Sequence, residues 1–505
     1  MPGKVWLVGA GPGDIGLLTV KGKSVIEKAD VIVYDHLVGM EILSSLDDKK
    51  KLINVGKLSG HHPIPQEQIN RILVEEAEQG QRVVRLKGGD PFLFGRGGEE
   101  LAELQRCGIP FEVVPGVTSS LAVPAYNGIP VTHRDYASSV HIITGHKKRE
   151  GEESVDYEAL VRSKGTLVFL MGVTALPDIR RKLLEAGMDP KVPAAILQEG
   201  TTAGQRKVTA TVGELEEKAR EAEIRPPAII VVGDVCRLAE TLSWRERLPL
   251  YGRRIVLTRP RKLMAALAER LRAEGAEVLE VPTIQTVELD DDQRLVCSFQ
   301  KIEKYDWIVF TSQIGVRIFF EQMQLRKIDI RRLSGVRFAV IGEGTCGALC
   351  ERGIYADVMP DVYDGESLGK VLAGQGIRGS RILIPRAEKG NEQLVPILEQ
   401  AGAAVEDIPI YRTSFYTSQT VSVKKEIQKR KPDLVVFTSS STVEGFVDAA
   451  KGLDYSEIKA ACIGVQTART ASKYGMSCYT AAKATLEDLI GLICKILNGK
   501  DTENL

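Results

Sequence analysis

Three glycine-containing turns, two of which also contain an aspartate, are the most chemically suggestive feature of the first half of the chain. GAGPGD (9–14), KGGD (87–90) and PGVTSS (115–120) each follow an apolar, strand-like run. Glycine lets the backbone approach a bound nucleotide or similar ligand closely. The first turn alone suggests a dinucleotide site with Asp35 as the ribose-binding acid, but it contains a proline and lacks the G-x-x-G spacing. An NAD-dependent reductase therefore stays as an alternative.

The second half of the chain has hydroxyl residues and tyrosines but no imidazole. All six histidines lie at or before His146, which excludes a Ser-His-Asp hydrolase in the remainder. The eight cysteines form no C-x-x-C pair, so we expect no metal. Scattered cysteines in a long chain are typical of reduced thiols in a cytoplasmic protein.

Composition narrows the possible functions further. The 505 residues include 67 Lys+Arg and 67 Asp+Glu, so the net charge is zero and gives no bulk attraction to nucleic acid. No apolar run reaches the roughly 18 residues that a membrane-spanning helix needs. The amino terminus runs directly into a strand-like segment and does not resemble a signal peptide.

Strand-like runs alternate with amphipathic stretches such as Gln66–Gln79 and Gly98–Cys107, which predicts an α/β fold with mostly parallel strands. Before the charged linker that we place at 243–251, the predicted strands are Lys4–Val8, Val31–Tyr34, Arg82–Leu86, Phe111–Val114, His141–Thr144, Thr166–Met171, Ala194–Leu197 and Ala228–Val232.

The part after the linker contains an internal repeat. At one constant offset, GRRIVLTRP (252–260) recurs as GSRILIPRA (379–387), EGAEVLEVP (274–282) as AGAAVEDIP (401–409), and VFTS (309–312) as VFTS (436–439). A repeat of this length indicates a duplicated α/β domain. Strand ends followed by small hydroxyl residues and glycine are where open α/β sheets bind ligands.

Six motifs, two of which extend the turns at 87–90 and 115–120, occur in the first half in this order: VYDHLV (33–38), VGK (55–57), RLKGGDPFLFGRGGEE (85–100), VVPGVTSS (113–120), FLMGV (169–173) and QEGTT (198–202). With GAGPGD they closely resemble uroporphyrinogen-III C-methyltransferase, of the tetrapyrrole methylase class, over residues 3–245. The resemblance implies two α/β lobes that hold S-adenosylmethionine, released as S-adenosylhomocysteine. It assigns the donor contacts to Pro12, Gly88, Gly89, Asp90, Leu93, Thr118, Ser119, Met171 and Gly200.

The same resemblance implies catalytic roles and a homodimer formed through this half. Asp35 would be the base and Lys57 the proton donor. The tetrapyrrole substrate carries carboxylates, for which Lys57, Arg96 and Arg134 are suitable partners, and Glu99 could accept a pyrrole N–H.

The duplicated VFTS motif, the two IG turns VIGEGT (340–345) and CIGVQT (462–467), and PIYRT (409–413) resemble uroporphyrinogen-III synthase over residues 252–495. That reaction cyclises hydroxymethylbilane with inversion of ring D and loss of water, and requires neither metal nor histidine. Tyr411 matches the family's tyrosine and could hydrogen-bond the leaving hydroxyl, or it could simply be packed. Residues on strand ends and turns could donate to substrate carboxylates or cap helices: Thr311, Ser312, Thr438, Ser439, Ser440, Gly464 and Thr467.

Together these resemblances predict a bifunctional α/β enzyme that makes uroporphyrinogen III and methylates it at C2 and C7 to precorrin-2, for sirohaem or cobalamin. The expected parts are methyltransferase lobes 1–115 and 116–245, one synthase lobe formed by 252–282 plus 413–505, and a second formed by 283–412. The second synthase lobe is inserted into the first through two connecting strands. The alternative for the second half is a tetrapyrrole-binding regulatory module without activity.

Overall fold

The structure is a computed structural model, and it describes residues 3–47, 49–56, 64–145, 155–259, 261–289, 293–390, 392–417 and 422–499. The strands, in chain order, are β1 (Lys4–Gly9), β2 (Val31–Tyr34), β3 (Lys51–Asn54), β4 (Arg82–Lys87), β5 (Phe111–Val114), β6 (Val140–Thr144), β7 (Thr166–Leu170), β8 (Pro193–Gln198), β9 (Arg206–Thr211), β10 (Ala228–Val232), β11 (Arg254–Leu257), β12 (Glu277–Glu280), β13 (Ile284–Glu288), β14 (Trp307–Phe310), β15 (Arg337–Val340), β16 (Arg381–Ala387), β17 (Ala404–Phe415), β18 (Leu434–Phe437), β19 (Lys459–Cys462) and β20 (Ser477–Thr480).

The helices, in chain order, are α1 (Val20–Lys28), α2 (Met40–Ser45), α3 (Gln66–Glu78), α4 (Gly97–Arg106), α5 (Ser119–Tyr126), α6 (Tyr157–Ser163), α7 (Leu176–Glu185), α8 (Leu215–Glu221), α9 (Arg261–Ala273), α10 (Gln293–Gln300), α11 (Gln313–Leu325), α12 (Glu343–Cys350), α13 (Gly365–Ala373), α14 (Leu394–Gln400), α15 (Val423–Lys429), α16 (Ser440–Ala449), α17 (Val465–Ser472) and α18 (Leu486–Asn498). Among the described helices, none is both long enough and apolar enough to cross a membrane.

The first sheet has five parallel strands in the order β3-β2-β4-β1-β5. Its central strands are buried apolar runs, as expected for a parallel sheet covered on both faces. All five strands end at one edge, so the turns that follow them are brought together there.

The second sheet is mixed, in the order β6-β7-β10-β8-β9. Strand β10 runs antiparallel to both β7 and β8, so β7 and β8 end at the same edge. Strands β3 and β9 were not predicted from the sequence. Both are edge strands with polar, partly exposed side chains, and such strands lack the apolar signal that identifies buried ones.

The third sheet has five parallel strands in the order β12-β11-β18-β19-β20 and is assembled from two separate stretches of chain. Its core packs α9 and α18 against β11 and β18, with Leu267, Leu271, Leu489 and Ile493 fully buried. This sheet confirms the prediction of a discontinuous α/β domain.

Residues 284–416 form a separate compact unit around the fourth sheet, in the order β13-β17-β16-β14-β15. Strand β13 pairs antiparallel with the end of β17, with Ile284 opposite Phe415. Five phenylalanines from α10, α11, β14 and β15 fill its core: Phe299, Phe310, Phe319, Phe320 and Phe338. The α/β class is confirmed for every sheet. The domain boundaries remain predictions; strand β17 continues to Phe415, past the predicted boundary at residue 412.

A carboxylate of the first half binds the edge strand of the third sheet. Glu41 of α2 accepts hydrogen bonds at Oε1 from the Val278 backbone N–H (2.6 Å) and from Arg272 Nε (3.0 Å). Burial raises the pKa of Glu41 from 4.5 to about 7, and this outweighs the lowering by Arg272 and by the Val278 N–H. The side chain of Met40 packs against both neighbouring cores.

Stability should therefore depend on pH through Glu41. The folded protein keeps the Glu41 proton up to about pH 7, whereas the unfolded chain releases it near 4.5, so stability falls as the pH rises through this window. The free energy of unfolding of the wild type relative to Glu41→Gln should fall by about 2 to 3 kcal/mol between pH 5 and 8. Denaturant titrations at several pH values measure this difference. Glu217→Gln, an exposed control on α8, should show no such trend, and parallel curves for wild type and Glu41→Gln would contradict the role of Glu41.

Candidate active sites

The turns after β1, β4 and β5 meet at the carboxyl edge of the first sheet. Gly11 and Gly89 exchange backbone hydrogen bonds of 3.2 and 2.7 Å. Asp90 Oδ2 accepts a hydrogen bond from the Gly116 N–H at 2.9 Å, which joins the second turn to the third. These turns contain six of the predicted donor contacts: Pro12, Gly88, Gly89, Asp90, Thr118 and Ser119.

Two glycines in these turns, Gly9 and Gly116, are too close to neighbouring backbone atoms to carry side chains. A Cβ atom on Gly116 would lie 2.3 Å from the carbonyl oxygen of Gly89 and 2.6 Å from Cα of Gly9. Gly89 itself has a φ of +70°, yet a Cβ atom there would meet only the Ser119 nitrogen, at 3.9 Å. We call Gly9, Gly89 and Gly116 the glycine cradle. It is a tightly packed backbone surface with open space in front of Gly89.

Loops from the second sheet complete this region. The Asp14 N–H donates to Thr201 Oγ1 at 3.2 Å, and Leu93 packs against the apolar core of the second sheet. Gly200 is buried, with no room for a Cβ atom beside Val123. Met171 is half exposed and has a φ of +55°, a strained conformation that is concentrated at functional sites. The predicted strand Thr166–Met171 thus ends one residue earlier, because Met171 leaves the strand conformation.

Asp35 follows β2 at the same edge of the first sheet. Its Oδ1 accepts from the Leu37 N–H at 3.0 Å, and its Oδ2 lies 3.3 Å from Arg85 Nη2. Arg85 and Lys87 also bind Glu100 Oε1 at 3.1 and 2.9 Å. Asp35 is therefore the partly exposed member of an ion-pair network whose other members, Arg85, Glu100 and Lys87, are buried.

Arg85, Lys87 and Glu100 were not predicted as site residues from the sequence. Glu100 is fully buried, and its Oε2 has no hydrogen-bond partner among the described residues. Burial and the nearby Arg85 lower the pKa of Lys87. The sequence signal that could have identified them is the presence of Arg85 and Lys87 in an otherwise apolar strand. Buried charges are almost always paired, so two cations there indicate a buried acidic partner.

The predicted substrate contacts of this half are more dispersed. Arg96 and Glu99 bind each other through two hydrogen bonds of 2.9 and 2.6 Å on the surface of α4. Arg134 is exposed, and Lys57 lies outside the described residues. The roles of all four in substrate binding and proton transfer stay predictions.

In the unit formed by 284–416, Tyr411 and Ser312 are brought together. Their hydroxyl oxygens are 2.8 Å apart, and Ser312 Oγ also accepts from the Gly315 N–H as the cap of α11. Tyr411 is 5% exposed, and burial raises its pKa. Thr311, half-buried, follows β14 beside them.

The remaining predicted residues lie at the carboxyl edge of the third sheet. Ser439 and Thr442 form a reciprocal cap at the start of α16. Ser440 Oγ accepts from Thr470 Oγ1 at 2.9 Å, Thr438 and Gly464 are half-buried, and Thr467 is buried at 4% exposure. Ser439 thus has a structural task in addition to any contact with substrate.

Four α/β sheets, a glycine cradle that shares a sheet edge with Asp35, and a Tyr-Ser pair in the second half define a multidomain enzyme with candidate site residues in both halves. No group of three or more His, Cys, Asp or Glu side chains among the described residues could hold a metal ion. Residues 4–216 match the tetrapyrrole (corrin/porphyrin) methylases, and residues 265–491 match uroporphyrinogen-III synthase HemD.

The similarity extends over the whole length of the chain. The porphyrin biosynthesis protein HemD of Ruminiclostridium josui is 43% identical over 497 residues, 98% of this chain and 99% of that protein. The uroporphyrinogen-III C-methyltransferase of Bacillus subtilis is 42% identical over 361 residues, 71% of this chain and 74% of that protein. The chain belongs to the porphyrin-biosynthesis family in which a tetrapyrrole methylase is fused to a uroporphyrinogen-III synthase.

One solved structure is similar to the first half alone. It is a uroporphyrin-III C-methyltransferase from Thermus thermophilus complexed with S-adenosylhomocysteine, 41% identical, with a TM-score of 0.40 over 46% of this chain and 99% of that chain. The protein is a bifunctional enzyme of tetrapyrrole biosynthesis with a methyltransferase and a synthase. Because residues 4–216 match the tetrapyrrole methylases, the turn at 9–14 is interpreted as part of a methylase and not of an NAD-dependent reductase.

Proposed function

We propose that the second half closes hydroxymethylbilane to uroporphyrinogen III and that the first half methylates this product at C2 and C7 to give precorrin-2. The observation that carries the methyltransferase proposal is that the glycine cradle and Asp35 follow strands of one sheet and share one edge. Backbone groups and a carboxylate at such an edge are suited to hold a polar ligand and move a proton.

The residues at this edge fit S-adenosylmethionine, which when bound supplies an electrophilic methyl group. The open space in front of Gly89 allows a close approach of the ligand to the backbone. The exposed thioether of Met171 offers an apolar contact. Asp90 holds two of the turns in place, because both of its oxygens accept backbone hydrogen bonds, from Phe92 and Gly116.

Asp35 would remove the proton that leaves the methylated pyrrole. Arg85 Nη2 binds one oxygen of the Asp35 carboxylate at 3.3 Å, and the Leu37 N–H donates to the other, so two donors fix the orientation of this carboxylate. Lys57 would supply a proton, while Arg96 and Arg134 would bind substrate carboxylates. The main task of this half is then to orient two ligands for in-line transfer.

In the synthase half, the pair Tyr411–Ser312 would donate a hydrogen bond to the hydroxyl that leaves hydroxymethylbilane. The C–O bond breaks with its electron pair on oxygen, which departs as water after taking a proton from this hydroxyl pair. The pyrrole nitrogen releases its N–H proton to restore the pair and becomes part of an azafulvene. A ring carbon at the other end of the bilane then forms the closing C–C bond. Thr311, Thr438, Ser439, Ser440, Gly464 and Thr467 would contact substrate carboxylates through hydroxyl and backbone groups.

The test is anaerobic incubation of the full chain with hydroxymethylbilane and S-adenosylmethionine, with products resolved by mass and absorbance. Precorrin-2 formed above the spontaneous isomer-I background is the expected result. Uroporphyrinogen I and its derivatives alone would contradict synthase activity. Product binding without cyclisation would then favour a tetrapyrrole-binding regulatory module, and the methyltransferase would be assayed with added uroporphyrinogen III.

The assembly and cellular site are also proposals. The family resemblance supports a cytoplasmic homodimer formed through the methyltransferase half. Light scattering of the full chain measures the mass directly, and a monomer at working concentration would contradict the dimer.

Tyr411→Phe should slow cyclisation about tenfold or more, because it removes the hydroxyl that assists the leaving group. Tyr305→Phe is the matched control in the same unit: Tyr305 is also buried, and its hydroxyl donates to Glu406 Oε2 at 2.6 Å. Both variants should lose about 1 kcal/mol of stability. The rate of bilane consumption distinguishes them, and an equal rate for both would assign Tyr411 to packing alone.

A further inference from the structure

The two copies of the repeat carry an arginine and a carboxylate at equivalent positions. In the first copy these are Arg259, just after β11, and Glu280 at the end of β12; in the second they are Arg386 and Asp407. The strand registers agree, since Leu257 lies opposite Glu280 and Ile384 lies opposite Asp407. The duplicated fold therefore provides the same potential ion pair twice.

Only the second copy forms this pair. Arg386 binds Asp407 through two hydrogen bonds of 2.7 and 2.5 Å. In the first copy, Glu280 Oε1 instead accepts from Arg272 Nη2 at 2.9 Å. Arg272 lies between two carboxylates, because it also binds Glu41 of the methyltransferase half at 3.0 Å. The carboxylate that could neutralise Arg259 is thus bound to a different arginine.

Arg259 has no hydrogen bond or ion pair with any residue in the part of the chain that the structure describes. Its side chain is nevertheless half-buried, and burial lowers the pKa of its guanidinium. Removing a cation from water without an anion costs free energy, so buried charges in folded proteins are normally paired. An arginine without a partner among the described residues is therefore suited to bind an anionic ligand.

The surroundings of Arg259 suit an anionic ligand. Leu257 lies opposite Val436 in the paired strands β11 and β18. Arg259 and Thr438 each follow two residues later, so they lie side by side at the carboxyl edge of the third sheet. The amino termini of α16 and α17 begin at the same edge, and their partial positive charge adds to that of the guanidinium. Open α/β sheets bind their ligands at this edge.

We propose that Arg259 forms a carboxylate-binding subsite of the synthase half and holds one of the carboxylates of the linear tetrapyrrole substrate. The proposal rests on the synthase function proposed above. Its planar guanidinium can bind both oxygens of one carboxylate, as Arg386 binds Asp407 in the other copy. The guanidinium of Arg386 is thus used in a structural ion pair, whereas the guanidinium of Arg259, at the equivalent position of the repeat, can bind substrate.

The test compares Arg259→Met with wild type in two measurements on the full chain. The KM for hydroxymethylbilane, measured without S-adenosylmethionine, should rise roughly 10- to 100-fold, with partial recovery in Arg259→Lys. The Tm without substrate should be unchanged or higher, because a buried charge without a partner is replaced by an apolar side chain of similar size.

Two further variants provide controls. Arg386→Met should lower the Tm, because it leaves Asp407 unpaired. Arg270→Met removes an exposed pair with Glu487 in the same lobe as Arg259, and should change neither KM nor Tm.

An unchanged KM in Arg259→Met would overturn the proposal, and so would a lower Tm or failure to fold, since either marks a structural arginine. The outcome is separable from that of the synthase proposal: a wild type that does not cyclise bilane contradicts the function, whereas a wild type that cyclises as well as the variant contradicts the role of Arg259.

Discussion

Replacing Asp35 with asparagine should lower kcat for methyl transfer about a hundredfold or more. The affinity for S-adenosylmethionine should change by less than about twofold, because Asp35 follows β2 and does not belong to the glycine cradle. Asparagine can still accept from the Leu37 N–H, which the wild-type carboxylate binds at 3.0 Å, but it cannot take a proton from the pyrrole. Single-turnover rates and equilibrium dialysis of the donor measure the two quantities separately.

Asp30→Asn is the matched control for this prediction. Asp30 lies at the opposite, amino-terminal end of β2 and pairs with Arg82, which holds the pKa of Asp30 at about 2. Its replacement should cost a little stability and leave methyl transfer unchanged. If Asp35→Asn instead abolished donor binding at an intact fold, Asp35 would be part of the donor site and not the base.

Gly116→Ala should weaken binding of S-adenosylmethionine by about a hundredfold, since misplacing site groups by an ångström has effects of this size. A Cβ atom there would lie 2.3 Å from the Gly89 carbonyl oxygen, so the turns after β4 and β5 must separate. Bilane cyclisation in the same chain should continue, because its proposed residues lie elsewhere. Isothermal titration with the donor and a cyclisation assay on one preparation measure both effects.

Gly98→Ala controls for the loss of a glycine as such. A Cβ atom on Gly98 meets nothing within 4 Å, and the residue lies inside α4, where alanine is favoured. This variant should bind the donor normally and be slightly more stable. Wild-type donor affinity in a folded Gly116→Ala would show that the cradle is structural and not a binding surface.

Much of the architecture was predictable because it depends on local patterns. Buried strands such as β1, β4 and β10 are short apolar runs bounded by turns, and the amphipathic stretches at α3 and α4 repeat with helical spacing. The alternation of the two specifies the α/β class. The internal repeat is visible in the amino-acid sequence alone, and it implies a duplicated domain.

The orientations of adjacent side chains on one helix could not be predicted from the sequence with the same accuracy. Sequence motifs suggested Glu99 as a substrate contact, and that role stays a prediction. In the structure Glu99 pairs with Arg96 on the exposed face of α4, whereas Glu100 turns inward to bind Arg85 and Lys87. One step along a helix rotates a side chain by about 100°. Whether that step leads to solvent or to the core depends on what packs against the helix.

The sequence by itself determined the α/β class, the duplication, the family and the turns that form the glycine cradle, because each is encoded in residues close together in the chain. Only the tertiary structure decided which charges are paired. Glu41 and Arg272 are 231 residues apart, and Arg272 also binds Glu280. Within the described part of the chain Arg259 therefore has no partner, although its repeat equivalent Arg386 is paired with Asp407. Identical local patterns were given different partners by the packing of distant elements, and electrostatic neutralisation depends on distance in space, not on position in the chain.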